Sequence, residues 1–266
     1  MSIYAAPLYE GTFYVGLDKK FVPMDRNGKP PKNTLRVAIQ PFLIHTEDKK
    51  ILLDTGLGEF GQGTGIDTIH KNLAEHGLSE YDITDIFLSH LHFDHTGGLA
   101  HRKHGYWELT FPDANIWLSE NAWKQVLARD KYYDDEKTEF RDFIEARADL
   151  HLLKDEDQPY PEIRVQKIGG HSQYHLAIFY EKDDHRYLMA GDVIPTKGHV
   201  NQKFAAKYDF DPRQSIQARQ ELAQKALKEG WVLLAYHSTE TAMFRLTGYE
   251  ERHGYTIESV TEYVPS

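Results

Sequence analysis

"SHLHFDHTGG", residues 89–98, places His90, His92, Asp94 and His95 within six positions and follows them with Gly97-Gly98. Histidine is only 15 of 266 residues, so three imidazoles in one short stretch ask for a chemical reason. Imidazole and carboxylate together are the oxygen and nitrogen donors that suit borderline divalent cations. In extended backbone, side chains two apart point the same way, so His90 and His92 are able to hold one ion together. Asp94 and His95 come as the chain turns, where adjacent side chains diverge toward a second ion. Gly97-Gly98 predicts a tight turn into a following helix, free of a Cβ clash.

The rest of the composition narrows the chemistry. There is no cysteine, which excludes disulfides, thiolate metal sites and cysteine nucleophiles, so any metal is held by His, Asp or Glu. The net charge is −10 and no Lys/Arg cluster rises above the acidic background, which argues against nucleic acid as a partner and for a small neutral or weakly charged substrate. No apolar run approaches the roughly 18 residues of a membrane span. The N-terminus "MSIYAAPLYEGTFYVGLDKK" lacks a basic start followed by an apolar stretch, so a cytoplasmic location is expected. No repeat, low-complexity tract or linker divides the sequence, and one domain over 1–266 is the expectation.

Periodicity supplies the elements. "TLRVAIQPFLIHT" (34–46) and "KKILLDTGLG" (49–58) read as strands, and "GLGEFGQGTG" (56–65) as a loop. "IDTIHKNLAEHGL" (66–78) has helical spacing and a C-terminal Gly77. Further strands are expected at 83–90, 114–120, 162–168, within 176–191, at 231–236 and at 254–264, with helices at 121–147 and from Pro212 to Gly230. Mixed elements with hairpin-like pairs predict a sandwich of two sheets with helices outside. Four of the strands end on chemistry: His90 at the end of 83–90, His171 after 162–168, Asp192 after 186–191 and His237 after 231–236. His199 and His253 compete with His237 for the last place, but neither directly follows a convincing buried strand.

With these motifs the sequence resembles the metallo-β-lactamase fold superfamily, from "ILLDTGLG" (51–58) to His237. The resemblance implies an α+β four-layer αβ/βα sandwich with metals at one edge of the two sheets. It implies two divalent metal ions, Zn²⁺ first, with Mn²⁺, Fe²⁺ or Co²⁺ as alternatives. Carried over, the pattern assigns His90, His92 and His171 to one ion, Asp94, His95 and His237 to the other, and Asp192 to a bridge between them. Asp54 in "LLDTG" matches a family aspartate that orients a ligand histidine, although Asp-Thr-Gly also makes a turn by itself. A water shared by two such ions loses a proton near neutral pH and becomes a nucleophile, with Asp94 orienting it or moving a proton.

Within the superfamily the layout of 191–237 is similar to the branch of N-acyl homoserine lactonases and methyl parathion hydrolase-like enzymes. That branch implies cleavage of a small ester-like substrate, a lactone or carboxylic ester first and an organophosphate or other phosphoester second. A metal-binding redox protein or a non-catalytic member of the fold is the competing class. Two departures stand out: Ser238 follows the last histidine where the family has Asp or Gly, and Pro195 stands where some lactonases carry a substrate-contacting tyrosine. His199 and Tyr208 lie in the same loop and are the candidates to replace it. The charged insert at 121–160 is expected over the cleft or at a homodimer surface. Its aromatics Trp123, Tyr132, Tyr133, Phe140 and Phe143 suit packing of the helix more than an acyl pocket.

Overall fold

The central strands are apolar on both faces because both faces are covered, and this sets the layer order. The computed structural model describes residues 3–62, 65–128 and 134–261. The first half runs through β1 (Tyr4–Pro7), β2 (Gly11–Val15), β3 (Phe21–Pro23), β4 (Leu35–Ile39), β5 (Phe42–His45), β6 (Lys50–Leu53), α1 (Ile66–Ala74), β7 (Asp85–Phe87) and α2 (Phe93–Thr96). Next come β8 (Ala100–Lys103), β9 (Tyr106–Leu109), β10 (Asn115–Ser119), α3 (Glu120–Leu127), α4 (Asp135–Arg147), β11 (Asp149–Leu153) and β12 (Glu156–Tyr160). The last part holds β13 (Ile163–Lys167), β14 (Leu176–Lys182), β15 (His185–Met189), α5 (Pro212–Glu229), β16 (Val232–Leu234), β17 (Met243–Glu250) and β18 (Gly254–Ser259).

The two large sheets have the orders β1-β5-β6-β7-β10-β11 and β12-β13-β14-β15-β16-β17-β18, and two small ones, β3-β2-β4 and β8-β9, accompany them. Side chains alternate across each strand. Ile51 and Leu53 of β6, Ile178 and Tyr180 of β14, and Val232 and Leu234 of β16 fill the space between the sheets. Leu52, Ile86 and Ile116 face outward onto Ile69 and Leu73 of α1 and Phe140 and Ile144 of α4. Phe179, Leu188 and Leu233 face the other way onto Ala218, Leu222 and Ala226 of α5. Three apolar interlayers separate four layers, which is the expected αβ/βα sandwich. No helix among the described residues is long and apolar enough to cross a membrane.

Strand direction places the site. β6, β7 and β10 are parallel neighbours, so their C-terminal ends share an edge. In the second sheet β14 is antiparallel to both β13 and β15, and β16 is parallel to β15. β13, β15 and β16 therefore point the same way, and the residues after each of them emerge together.

Local signals read from sequence hold for α5. Asp211 accepts from the Arg213 and Gln214 amides, Pro212 opens the helix, and Gly230 closes it at φ +73°. Elsewhere the boundaries differ. The strand expected over 34–46 breaks at Gln40-Pro41 into β4 and β5, which belong to different sheets. The helix expected over 121–147 is two helices, the second capped by Asp134 accepting from the Lys137 amide. Tyr132 and Tyr133 lie outside the described residues. Phe140 is buried in the outer interlayer, with Trp123 and Phe143 packed against it, so these aromatics pack the helices down. Gly97-Gly98 leads into a short 3-10 turn and then β8, not into a helix. Neither glycine adopts a left-handed conformation. Their function is close approach: a Cβ on Gly97 would run into the Leu57 carbonyl, and one on Gly98 into the Thr55 carbonyl.

Candidate metal centre

The chain leaves β7 through Ser89 and presents His90, then His92 just ahead of α2, which carries Asp94 and His95 in its single turn. His171 follows β13 through Gly169 and Gly170, both left-handed at φ +62° and +86°. Only glycine fits the second of these, where a Cβ would meet the backbone of Ser215 at the start of α5. Asp192 sits in a 3-10 turn after β15, and His237 lies in the turn after β16, which Gln40 clamps by donating to the Ala235 and Ser238 carbonyls at 2.8 and 2.9 Å.

All seven side chains converge. His92 Nδ1 lies 2.9 Å from His90 Nε2 and 3.1 Å from His171 Nε2. Asp94 Oδ2 lies 3.5 Å from both His95 Nε2 and His237 Nε2. Asp192 spans the two groups, with Oδ1 at 3.3 Å from His95 Nε2 and 3.0 Å from His237 Nε2, and Oδ2 at 3.3 Å from His171 Nε2. One donor atom each from His90, His92 and His171, and likewise from Asp94, His95 and His237, fall within 4.8 Å of one another.

The electrostatics suit a cation. Burial, with His95 and His175 close by, pushes His90 well below its usual value, leaving a neutral imidazole. Burial opposes ionisation of Asp192, yet the imidazoles of His237, His171 and His95 hold its carboxyl well below the usual range. Burial likewise opposes charge on His95 and His237, while the surrounding aspartates raise both. His95 Nε2 and Asp192 Oδ1 are buried and lie 3.3 Å apart, but neither makes a well-aligned hydrogen bond. A nitrogen-and-oxygen donor set that leaves two buried atoms without a well-aligned hydrogen bond fits a divalent metal.

Supporting residues surround this cluster. Asp54, at φ +60°, accepts from the Ser89 amide, the Ser89 hydroxyl and His95 Nδ1 at 2.7, 2.7 and 2.6 Å, and the last of these contacts sets the orientation of the His95 ring. Asp209 accepts from His171 Nδ1 at 3.1 Å. Tyr236 donates to the Asp94 carbonyl at 2.6 Å and stacks on the His95 ring at 4.1 Å. His175 is fully buried, lies 4.5 Å from the His90 ring, and its Nε2 donates to the Ala190 carbonyl at 3.1 Å.

Sequence reading missed Asp209, Tyr236 and His175. "GGHSQYH" (169–175) held a signal for His175, a second histidine four residues on and directly before a strand. Asp209 had none, since only the return of its loop brings it to His171. His199 and Tyr208 flank the seven residues without joining them. Thr196 Oγ1 lies 2.8 Å from His199 Nδ1, and burial pushes this imidazole down to about 4. The Tyr208 ring is edge-on to His171 at 5.8 Å, and its phenol is pushed up to about 12 by burial and by the carboxylates of Asp192 and Asp209. His253 pairs with Glu250 at 2.9 Å on an exposed turn.

The comparisons agree with this architecture. The Metallo-beta-lactamase superfamily model matches residues 36–237. An N-acyl homoserine lactonase of Bacillus thuringiensis is 24% identical over 231 residues, covering 79% of this chain and 85% of that protein. Among solved structures, the hydrolase AbOPH of the beta lactamase superfamily superposes with a TM-score of 0.76 at 20% identity, covering 98% of each chain. AidC, a dizinc quorum-quenching lactonase in complex with a product, superposes with a TM-score of 0.73 at 18% identity, covering 99% of this chain and 97% of that one. With four layers, a matched stretch that begins in β4 and ends on His237, and these neighbours in fold, the chain belongs to the metallo-beta-lactamase superfamily.

Proposed function

We propose that this protein is a dinuclear metallohydrolase that cleaves a small carboxylic ester or lactone. The observation that carries the proposal is the position of Asp192, whose carboxylate reaches His171 on one side and His95 and His237 on the other. His90, His92 and His171 would hold one divalent ion, zinc first, and Asp94, His95 and His237 the other, with Asp192 shared. Ions held there supply Lewis acidity, lowering the pKa of water toward 7 and polarising a carbonyl.

The protein's own groups do the rest. Asp54 and Asp209 fix the outward nitrogens of His95 and His171, so both rings present Nε2 to the centre. Asp94, part-exposed at the mouth, orients water and takes a proton. Tyr208 keeps its proton at neutral pH and donates to the carbonyl oxygen of the substrate, the position left empty by Pro195. The relation to lactonases supports the ester-like substrate.

The test is hydrolysis by zinc-reconstituted protein of an acyl homoserine lactone, an aryl ester, an aryl phosphotriester, an aryl phosphodiester and a glutathione thioester, with His92→Ala as the blank. Turnover of the lactone or ester, lost in the variant, is the expected result. Turnover of the phosphotriester alone moves the assignment to phosphoester chemistry. Two bound zinc ions with no turnover overturn the substrate class.

A further inference from the structure

Glu10 lies in the turn between β1 and β2, far in sequence from every residue of the metal centre, yet its carboxylate reaches into the loop that supports it. Glu10 Oε2 accepts from the Leu57 amide at 2.9 Å and Oε1 from the Gly58 amide at 3.2 Å. Gly56 makes room for it, since a Cβ there would collide with Glu10 Oε2. The gripped loop, 54–58, is the one that holds His95. Asp54 takes its Nδ1, while Thr55 donates to its carbonyl through both the amide (2.8 Å) and the hydroxyl (3.0 Å). The far side of the loop packs on Gly97 and Gly98, with the Gly98 amide donating to the Gly56 carbonyl at 3.2 Å.

Burial pushes the Glu10 carboxyl up to about 7, the two amides pull it down, and Asp94 raises it. A carboxylate buried in such a place is costly, which argues that its two amide hydrogen bonds have a use.

We infer that Glu10 is a positioning residue: it sets loop 54–58 so that Asp54 and Thr55 fix His95, and it thereby tunes the Asp94/His95/His237 group, which the loop holds directly, more than the His90/His92/His171 group. Toward the His90/His92/His171 group the loop acts one step further off, through Ser89, which donates to Asp54 and whose hydroxyl lies 3.1 Å from His90 Nδ1. This rests on the two-ion reading above, and the experiment separates the two.

Zinc dissociation constants are measured by competition with a chelating indicator, in pairs with and without Glu10→Gln. One pair is made in His92→Ala protein, where only the Asp94/His95/His237 group is complete. The other is made in His237→Ala protein, where only the His90/His92/His171 group is. Glutamine keeps the volume, but its NH₂ faces one of the two amides and that bond is lost. The expected result is roughly 10-fold to 100-fold weaker zinc binding in the first pair, the range for residues supporting a ligand, and a clearly smaller change in the second. Equal weakening in both pairs, or none in the first, overturns the inference. If E10Q does not fold, Glu10→Asp, which retains the charge but is one methylene short, is scored by the same rule. Wild-type protein binding one zinc per chain would sink the two-ion reading, while the His92→Ala pair would still decide the role of Glu10.

Discussion

Asp54 Oδ2 lies 2.6 Å from His95 Nδ1, with both side chains wholly excluded from solvent. The contact fixes which nitrogen of His95 carries the proton and turns the other toward Asp94 and Asp192. Asp54 also sits at φ +60°, a conformation that Asn tolerates better than other substitutes. Asp54→Asn therefore tests the carboxylate with little backbone penalty. Zinc affinity and kcat/KM should each fall roughly 10-fold to 100-fold, read by chelator competition and by initial rates. Values within twofold of wild type would show that Asp54 serves only the turn.

Arg219 is a fully buried guanidinium on α5 that donates to three carbonyls, those of Val193, Gln202 and Phe204, at 2.9, 3.2 and 2.9 Å. It ties down the loop that leaves Asp192 and carries His199. Arg219→Met leaves those carbonyls without a donor and should destabilise the fold by about 3 kcal/mol. The urea midpoint checks this, with Arg219→Lys expected between the two because it reaches fewer carbonyls. An unchanged midpoint would mean that water replaces the guanidinium without loss.

Tyr208→Phe removes only a hydroxyl from a half-exposed ring. If the phenol donates to the reacting carbonyl, kcat should fall about 10-fold to 100-fold with KM little changed. A kcat equal to wild type would remove Tyr208 from the reaction and leave His199 as the candidate.

His199 carries a pH signature. Burial, with Arg219 nearby, lowers it to about 4 in the folded protein, whereas the unfolded chain titrates near 6.5. Between those values the unfolded state binds the extra proton, so this residue's share of stability is present above 6.5 and is lost as pH falls toward 4. His199→Asn should flatten that part of the profile. Urea unfolding of both proteins at pH 4.5, 5.5, 6.5 and 7.5, at equal zinc, measures the difference. Parallel profiles would show that His199 titrates normally.

Much of the site was legible because its chemistry is local or sits at strand ends. His90, His92, Asp94 and His95 lie within six residues, and His171, Asp192 and His237 each follow an apolar run bounded by a turn. The apolar runs also revealed the central strands, since a strand covered on both faces has no polar face to disguise it. β17 was missed because "MFRLTGYE" alternates weakly and contains a glycine.

The sequence by itself determined which donor atoms are available, the absence of thiolate, and the order in which strands deliver the ligands. Tertiary structure decided which way each strand runs, and so whether those ends meet. β14 reverses between β13 and β15, and that reversal brings His171 and Asp192 to one edge. It also decided the supporting contacts. Glu10 reaches Leu57, Asp209 reaches His171 and Tyr236 reaches Asp94 across 47, 38 and 142 residues. Hydrogen bonds of that span depend on how layers pack, and no local periodicity or spacing records it.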